Sequence, residues 1–192
     1  MFRKIFLVLA ALAALLALGL GAVLAVAAMQ PSDYRVERSA AVAAPPMPVF
    51  QLVNDFNNWE GWSPWAKLDP DAKVKFTGPA WGPGAAFAWD GNARVGAGKM
   101  TIADSRPADY VRIRLEFTRP FADTATAEFT FKPAPAPGGT VVTWAMFGAR
   151  TSLIAKAVCL FMDMDKILGA EFDKGLAAMK SIAEAEEKAR KK

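Results

Sequence analysis

The chain has 192 residues, of which 53% are hydrophobic, and carries a formal net charge of +4. It contains one cysteine and no histidine, which excludes an intrachain disulfide and removes the commonest general base and transition-metal ligand. Six of the 23 basic residues and three of the 19 acidic residues lie within residues 1–4 and 184–192. The positive charge therefore belongs to the termini, and we expect no nucleic-acid partner. With no histidine in the chain, we also expect no metal and no cofactor.

The N-terminal segment is apolar or small at every position from residue 5 to residue 28. As a helix these residues would span about 36 Å, more than the roughly 30 Å hydrocarbon core of a bilayer. Arg3 and Lys4 precede the segment, so the positive-inside rule predicts a single-pass inner-membrane anchor with a cytoplasmic N-terminus and an extracytoplasmic domain. The alternative is a cleaved signal peptide, which would leave a periplasmic or secreted domain.

The rest of the chain is predicted to form one domain. Residues 1–29 form the anchor or signal, 30–33 a linker, 34–186 the domain and 187–192 a charged tail. Alternating apolar and polar residues predict seven strands, at 34–42, 73–77, 85–89, 94–103, 110–117, 124–132 and 141–147.

Two short helices are expected between the first two strands. Residues 46–53 have one apolar face, and the following stretch, NDFNNWEGWSPW at 54–65, is broken by Gly61 and Pro64. Apolar residues recur at spacings of three and four near the C-terminus, which predicts a long helix from Ile154 or Met162 to Ala189. Clean alternation indicates an antiparallel sheet with one dry face, so we expect an α+β fold in which this helix covers that face.

Several stretches resemble the SRPBCC superfamily (START/Bet v 1-like), and within it the polyketide cyclase/dehydrase-type bacterial members. The stretches are Val36–Ser39, Ala44–Pro46 with Val49 and Phe50, Asp55 with Trp59, Trp62, Pro64 and Trp65, Phe161–Lys166, and Phe172–Leu176. The resemblance implies a helix-grip fold, a curved antiparallel sheet of about seven strands wrapped around the long C-terminal helix. It also implies a hydrophobic cavity between sheet and helix.

The inward-facing residues of these elements are the candidate lining of that cavity. They are Trp62, Phe76, Phe87, Trp89, Met100, Ile113, Leu115, Phe129, Phe131, Trp144, Met146, Phe161, Met164, Leu168 and Phe172. Each could equally be part of a packed core, although Met and aromatic side chains suit an apolar ligand. Gly96 and Gly98 have inward parity and would leave room for the helix or for a ligand.

Arg38 is the one charged candidate at the cavity. It has the inward parity of the first strand and could anchor the acid group of a ligand, unless a distortion of the strand turns it outward. Asp163 and Asp165 are two residues apart on the predicted helix, so they point in different directions and are expected to be solvated.

Three functions remain open on this basis. The first is a membrane-anchored domain that binds a hydrophobic small molecule or lipid without chemistry. The second is a cyclase- or dehydrase-like enzyme acting on an aromatic or polyketide substrate. The third is a module that binds a partner protein at the membrane, although the sequence identifies no particular partner. A large void between sheet and helix would favour the first function, and a filled interior with an exposed apolar patch would favour the third.

Overall fold

The computed structural model describes residues 2–136, 138–150 and 152–192. The helices are α1 (Phe2–Met29), α2 (Pro46–Asn54), a 3₁₀ helix (Phe56–Asn58), α3 (Trp59–Trp62), α4 (Pro64–Leu68), α5 (Leu153–Cys159) and α6 (Met164–Arg190). The strands are β1 (Asp33–Val42), β2 (Lys73–Thr77), β3 (Ala86–Asp90), β4 (Ala97–Arg106), β5 (Tyr110–Arg119), β6 (Asp123–Pro133) and β7 (Thr140–Ala149).

The chain forms two compact units. The first combines residues 1–34 with 149–164, and the second combines residues 35–148 with 165–192. In the first unit, α1 and α5 contact each other. Within the described residues, α1 is the one helix long and apolar enough to cross a membrane, a test of length and composition that a signal sequence near the N-terminus also passes.

The second unit is built on a seven-stranded sheet in the order β1-β7-β6-β5-β4-β3-β2, so β1 and β2 are its edges. Each neighbouring pair from β2 to β7 is antiparallel. On the outer face, Arg112 of β5 lies opposite Glu128 of β6 and pairs with it at 2.8 Å. On the inner face, Ile113 lies between Ile102 and Ala127 and is fully buried. The predicted alternation of a wet and a dry face is thus confirmed.

Helix α6 packs on the part of the dry face that β1 and β7 form. Its buried residues include Phe172, Gly175, Leu176 and Met179, at positions i, i+3, i+4 and i+7 of one helical face. A Cβ on Gly175 would lie 2.9 Å from the ring of Trp144, so glycine lets the helix backbone approach the sheet closely. The predicted α+β helix-grip fold is confirmed.

Two predicted helices have different bounds. The long C-terminal helix was expected to begin at Ile154 or Met162, but α5 ends at Cys159 and α6 begins only at Met164. The amide of Phe161 bonds the carbonyl of Val158, three residues earlier, which tightens the chain and ends the α-helical pattern. The Trp-rich stretch forms several short helical pieces, because Pro64 cannot continue α3 and instead begins α4.

Candidate functional site

The Trp-rich stretch satisfies the C-terminal end of α2. The last four carbonyls of an α-helix have no partner within it. Here Gln51 O accepts from Asn58 Nδ2 at 3.0 Å, and Asn54 O accepts from the Gly82 amide at 2.9 Å. The two carbonyls between them accept from indoles, Leu52 O from Trp62 Nε1 at 2.9 Å and Val53 O from Trp59 Nε1 at 3.0 Å. These hydrogen bonds fix the stretch across the end of the helix.

The same indole rings fill the middle of the groove between the sheet and α6. Trp62 lies 5.9 Å from Phe129 and 5.5 Å from Trp144, centroid to centroid, with nearly perpendicular rings. Trp144 stacks on Phe129 at 4.8 Å and on Phe172 of α6 at 4.1 Å. Trp65 also contacts Trp144 and Phe172. Sheet, short helices and α6 therefore meet in one packed aromatic cluster.

Burial decreases along the inner face from this cluster towards β2. Phe129 and Trp144 are 0% and 3% exposed, and Leu115, further along, is 9% exposed. On β2, Phe76 is 47% exposed and Val74 is 53% exposed. The groove is closed at the aromatic cluster and open at the β2–β3 end of the sheet.

Five side chains form the open end, and we call them the apolar shelf: Val74, Phe76, Phe87, Trp89 and Phe117. The strand register places Phe76 opposite Phe87 and Val74 opposite Trp89, so they share one face. The rings are in contact, with centroid distances of 5.3 Å for Phe76–Phe87, 6.2 Å for Phe87–Trp89 and 5.9 Å for Trp89–Phe117. Each of these aromatic residues retains some solvent exposure.

Gly98 lets the Trp89 indole lie flat on β4. A Cβ at Gly98 would be 2.6 Å from Trp89 Cη2 and 2.6 Å from the Glu116 carbonyl oxygen, closer than packed atoms approach. Trp89 Nε1 donates to Val95 O at 3.1 Å, which fixes the ring. Gly96 has φ +64°, and a Cβ at this position would collide with the Arg119 carbonyl oxygen. Neither glycine leaves the room for a helix or ligand that we expected, because Trp89 and the β5 backbone take it.

A small cavity adjoins the shelf. Its volume is about 110 Å³, and Phe76 of the shelf is part of its wall. The remaining wall comes from Phe56, Asn57, Thr77, Gly78, Pro79, Ala80, Ala85 and Ala86. Sites that enclose a drug-sized ligand have roughly 300–1,000 Å³, so this cavity could hold only part of one. A larger ligand would have to lie on the open shelf.

The candidate lining residues fall into four groups. Those in the closed part are Trp62, Met100, Ile113, Leu115, Phe129, Phe131, Trp144, Met146 and Phe172, all buried. Phe76, Phe87 and Trp89 belong to the shelf, and Leu168 is half-buried on α6. Phe161, 76% exposed, and Met164 belong to the other unit. Val74 and Phe117 of the shelf are not among the candidate lining residues, although alternation along their strands gives both the inward parity.

Arg38 faces α6 and is held by acidic groups of that helix. Its guanidinium lies 2.9 Å from Asp165 Oδ2 and 3.6 Å from Asp173 Oδ2, and it also donates to the Asp165 carbonyl. It occupies the space that a side chain at Gly169 would need. The hydrogen bond from Arg38 lowers the pKa of Asp165. Asp165, expected to be only solvated, thus ties α6 to β1, and a ligand acid group would have to displace it from Arg38.

The shelf offers surface rather than reactive groups. None of its five side chains ionises at ordinary pH, whereas a cyclase or dehydrase mechanism needs an acid or base beside the substrate. In the part of the chain that the structure describes, no cluster of three or more His, Cys, Asp or Glu could hold a metal ion.

Comparison with known proteins gives the family. Residues 33–184 match the family described as polyketide cyclase/dehydrase and lipid transport. The chain belongs to this family. The match spans the whole sheet and most of α6, and the resemblance found in the sequence is confirmed. Among curated proteins there is no significant match.

Several solved structures share the fold. A protein of unknown function from Staphylococcus aureus is 11% identical, with a TM-score of 0.59 over 83% of this chain and 98% of its own. The protein CV1439 from Chromobacterium violaceum is 14% identical, with a TM-score of 0.55 over 81% of this chain and 99% of its own. Ara h 8.0201 is 11% identical, with a TM-score of 0.53 over 79% of this chain and 97% of its own. At these identities the likeness concerns the fold alone.

Proposed function

We propose that the protein binds a hydrophobic small molecule or lipid on the apolar shelf, by shape and burial and without chemistry. The observation that carries this proposal is the shelf itself, five adjoining apolar side chains left partly exposed on the inner face of the sheet. Soluble surfaces rarely keep contiguous apolar patches unless something binds them. A filled interior with an exposed apolar patch is also what we expect of a partner-binding module, and membership of a family whose description includes lipid transport favours a hydrophobic ligand over a protein partner.

The domain acts at a membrane in this proposal. Helix α1 serves as a single-pass anchor, with its N-terminus in the cytoplasm and the sheet domain on the extracytoplasmic side. Its 28 residues exceed the length that a bilayer core requires. Arg3 and Lys4 on its N-terminal side support the orientation. An anchored domain of this kind would meet hydrophobic ligands at the bilayer in which they dissolve.

The first test is native mass spectrometry of the full chain released from detergent micelles. The chain is incubated with oleic acid, a polyprenyl alcohol or a polycyclic aromatic probe, and we expect a one-to-one complex with at least one of them. Trp89→Ala and Phe117→Ala remove ring surface from the shelf. Losing the burial of one aromatic side chain costs about 1.5–3 kcal/mol, so each substitution should weaken binding roughly tenfold or more.

Two exposed aromatic residues outside the shelf provide matched controls. Trp81 is 66% exposed and Phe121 is 74% exposed, so Trp81→Ala and Phe121→Ala should bind the probe as the unmodified protein does. Equal binding by the shelf variants would contradict the proposed site. Failure of all three probes to bind would contradict the proposed function.

A second candidate function is the docking of a partner protein on the same surface. It is favoured by one observation: β2 is an edge strand, and its Val74 and Phe76 side chains are about half exposed while the interior beneath α6 is filled. An edge strand offers unpaired backbone groups to another chain. Absence of any probe complex in the experiment above would leave this candidate as the better account of the shelf.

A further inference from the structure

The segment from Leu153 to Met162, which we call the α5 segment, exposes large apolar side chains in the unit that contains α1. Ile154 is 68% exposed, Val158 45% and Phe161 76%. Ile154 and Val158 are four residues apart on α5 and lie on one face of it, and Phe161 follows in the turn after the helix; we call the three the apolar stripe. Leu153 and Met162 flank the stripe and are 42% and 44% exposed. Water is a poor solvent for so continuous an apolar surface.

The segment is held against the C-terminal part of α1. The two helices contact each other, and Val23, Leu24 and Ala27 are the α1 residues in this part that lose exposure, Ala27 completely. Lys156 Nζ donates to the Gln30 carbonyl at 3.0 Å, just beyond the end of α1. The α5 segment therefore has a defined position along the α1 axis.

That position corresponds to the membrane surface if α1 spans the bilayer as proposed above. About 20 residues at 1.5 Å each cross a 30 Å hydrocarbon core. Counting from Ile5, the first residue after the charged Arg3 and Lys4, such a span ends at Leu24. The α1 residues against which α5 packs then lie at the far boundary between hydrocarbon and headgroups.

Polar groups beside the segment fit the same depth. The Arg150 guanidinium lies 4.5 Å from the centre of the Tyr34 ring, and the Arg150 amide donates to Ser32 O at 2.8 Å. Tyrosine and arginine are typical of the headgroup layer, where an aromatic body meets a polar environment. Arg150 and Lys156 supply a cationic border to the apolar stripe.

We infer that the α5 segment is a second membrane contact, an interfacial element that inserts Ile154, Val158 and Phe161 into the outer layer of the same bilayer. This inference rests on the proposal that α1 spans the membrane. An amphipathic element of this kind lies in the plane of the membrane, with its apolar face about 5–10 Å deep. With α1 it would hold the first unit to the bilayer at two places and restrict its rotation.

Site-directed spin labelling of the full chain in lipid vesicles tests the inference. In a Cys159→Ala background, single labels are attached at Ile154→Cys and Phe161→Cys, with Leu15→Cys in α1 as the lipid reference and the exposed Glu186→Cys as the water reference. Collision with dissolved oxygen reports lipid, and collision with a water-soluble nickel chelate reports water. We expect labels at 154 and 161 to favour oxygen severalfold more than the label at 186, at a shallower depth than the label at 15.

The outcomes separate the two claims. A lipid-exposed label at 15 together with water-exposed labels at 154 and 161 would overturn the interfacial contact and leave the anchor intact. A water-exposed label at 15 would overturn the anchor and, with it, the inference. Labels at 154 and 161 that reach neither reagent would indicate coverage by a second copy of the chain, which also overturns the inference.

Discussion

At the scale of single residues, two of the three tryptophans of residues 54–65, Trp59 and Trp62, have two roles. Their rings pack in the aromatic cluster, and their N–H groups complete the end of α2. Trp144 of β7, which packs in the same cluster, differs, since its buried Nε1 finds no acceptor among the described residues. The rings alone explain why the groove is filled at this end. The hydrogen bonds explain why tryptophan, rather than phenylalanine, stands at positions 59 and 62.

Trp62→Phe should destabilise the protein by about 1–3 kcal/mol, because the Leu52 carbonyl would stay buried without its donor. Urea unfolding of the full chain, followed by circular dichroism, measures the change. Trp81→Phe is the control, since this exposed side chain should tolerate the change within about 0.5 kcal/mol. Equal losses in the two variants would mean that the hydrogen bond to Leu52 contributes nothing.

The sequence could not reveal these pairings. Spacing places Trp59 and Trp62 near each other after a helix, but it does not tell which carbonyl an indole reaches. Similarly, parity on β1 gave Arg38 its inward direction, yet its partners Asp165 and Asp173 lie more than 120 residues away. Contacts between distant elements depend on the tertiary structure rather than on local pattern.

At the scale of elements, Arg38 and Gly169 together fix how α6 crosses β1. The arginine side chain passes through the space that a Cβ at Gly169 would fill and reaches Asp165 on the preceding turn of the helix. Glycine in the middle of a helix is otherwise unfavourable by about 1 kcal/mol relative to alanine. Arg38, which packs on Gly169, therefore explains why a residue without a side chain stands at this position of the helix.

Gly169→Ala should have effects of opposite sign in two backgrounds. In the unmodified protein the added methyl group displaces Arg38 and lowers the free energy of unfolding. In an Arg38→Ala background no guanidinium remains in the way, and the better helix propensity of alanine should raise it by about 0.5–1 kcal/mol. Urea unfolding of the four proteins gives both differences. The same sign in both backgrounds would show that Arg38 does not determine the need for glycine.

The last turn of α6 should make stability depend on pH. Hydrogen bonds from Arg190 and Lys191 hold the pKa of Glu187 at about 2, below the ordinary value of 4.5 for a glutamate. A carboxyl group with a lowered folded-state pKa stabilises the protein above its unfolded pKa, and this contribution is lost as pH falls. The unmodified protein should therefore exceed Glu187→Gln in stability above pH 4.5, and the difference should disappear towards pH 2.

Unfolding curves at a series of pH values measure this difference, and Glu186→Gln at the neighbouring exposed position is the control. We expect the control to differ little from the unmodified protein across the range. A difference between the unmodified protein and Glu187→Gln that stays constant from pH 7 to pH 2 would contradict the role of Glu187.

At the scale of the whole molecule, the fold was largely predictable and the site was not. Alternation along each strand is a local property, and it located all seven strands and the dry face. The division of that face into a closed and an open end depends on which rings meet across it. Phe76 and Phe129 have the same inward parity in the sequence, yet one is 47% exposed and the other fully buried. Phe129 is buried because Trp62 packs on it and because Phe172 packs on its neighbour, Trp144.

Cross-linking with a photoreactive fatty acid, followed by peptide mapping, tests the central claim most directly, because it reports where a hydrophobic ligand contacts the chain. The full protein is irradiated in lipid vesicles, and Trp89→Ala is treated in parallel. We predict adducts on β2, β3 and β5 at the apolar shelf, reduced in the variant, together with adducts on α1 that serve as an internal control. Adducts confined to α1 and the α5 segment, with none on the shelf, would contradict the account.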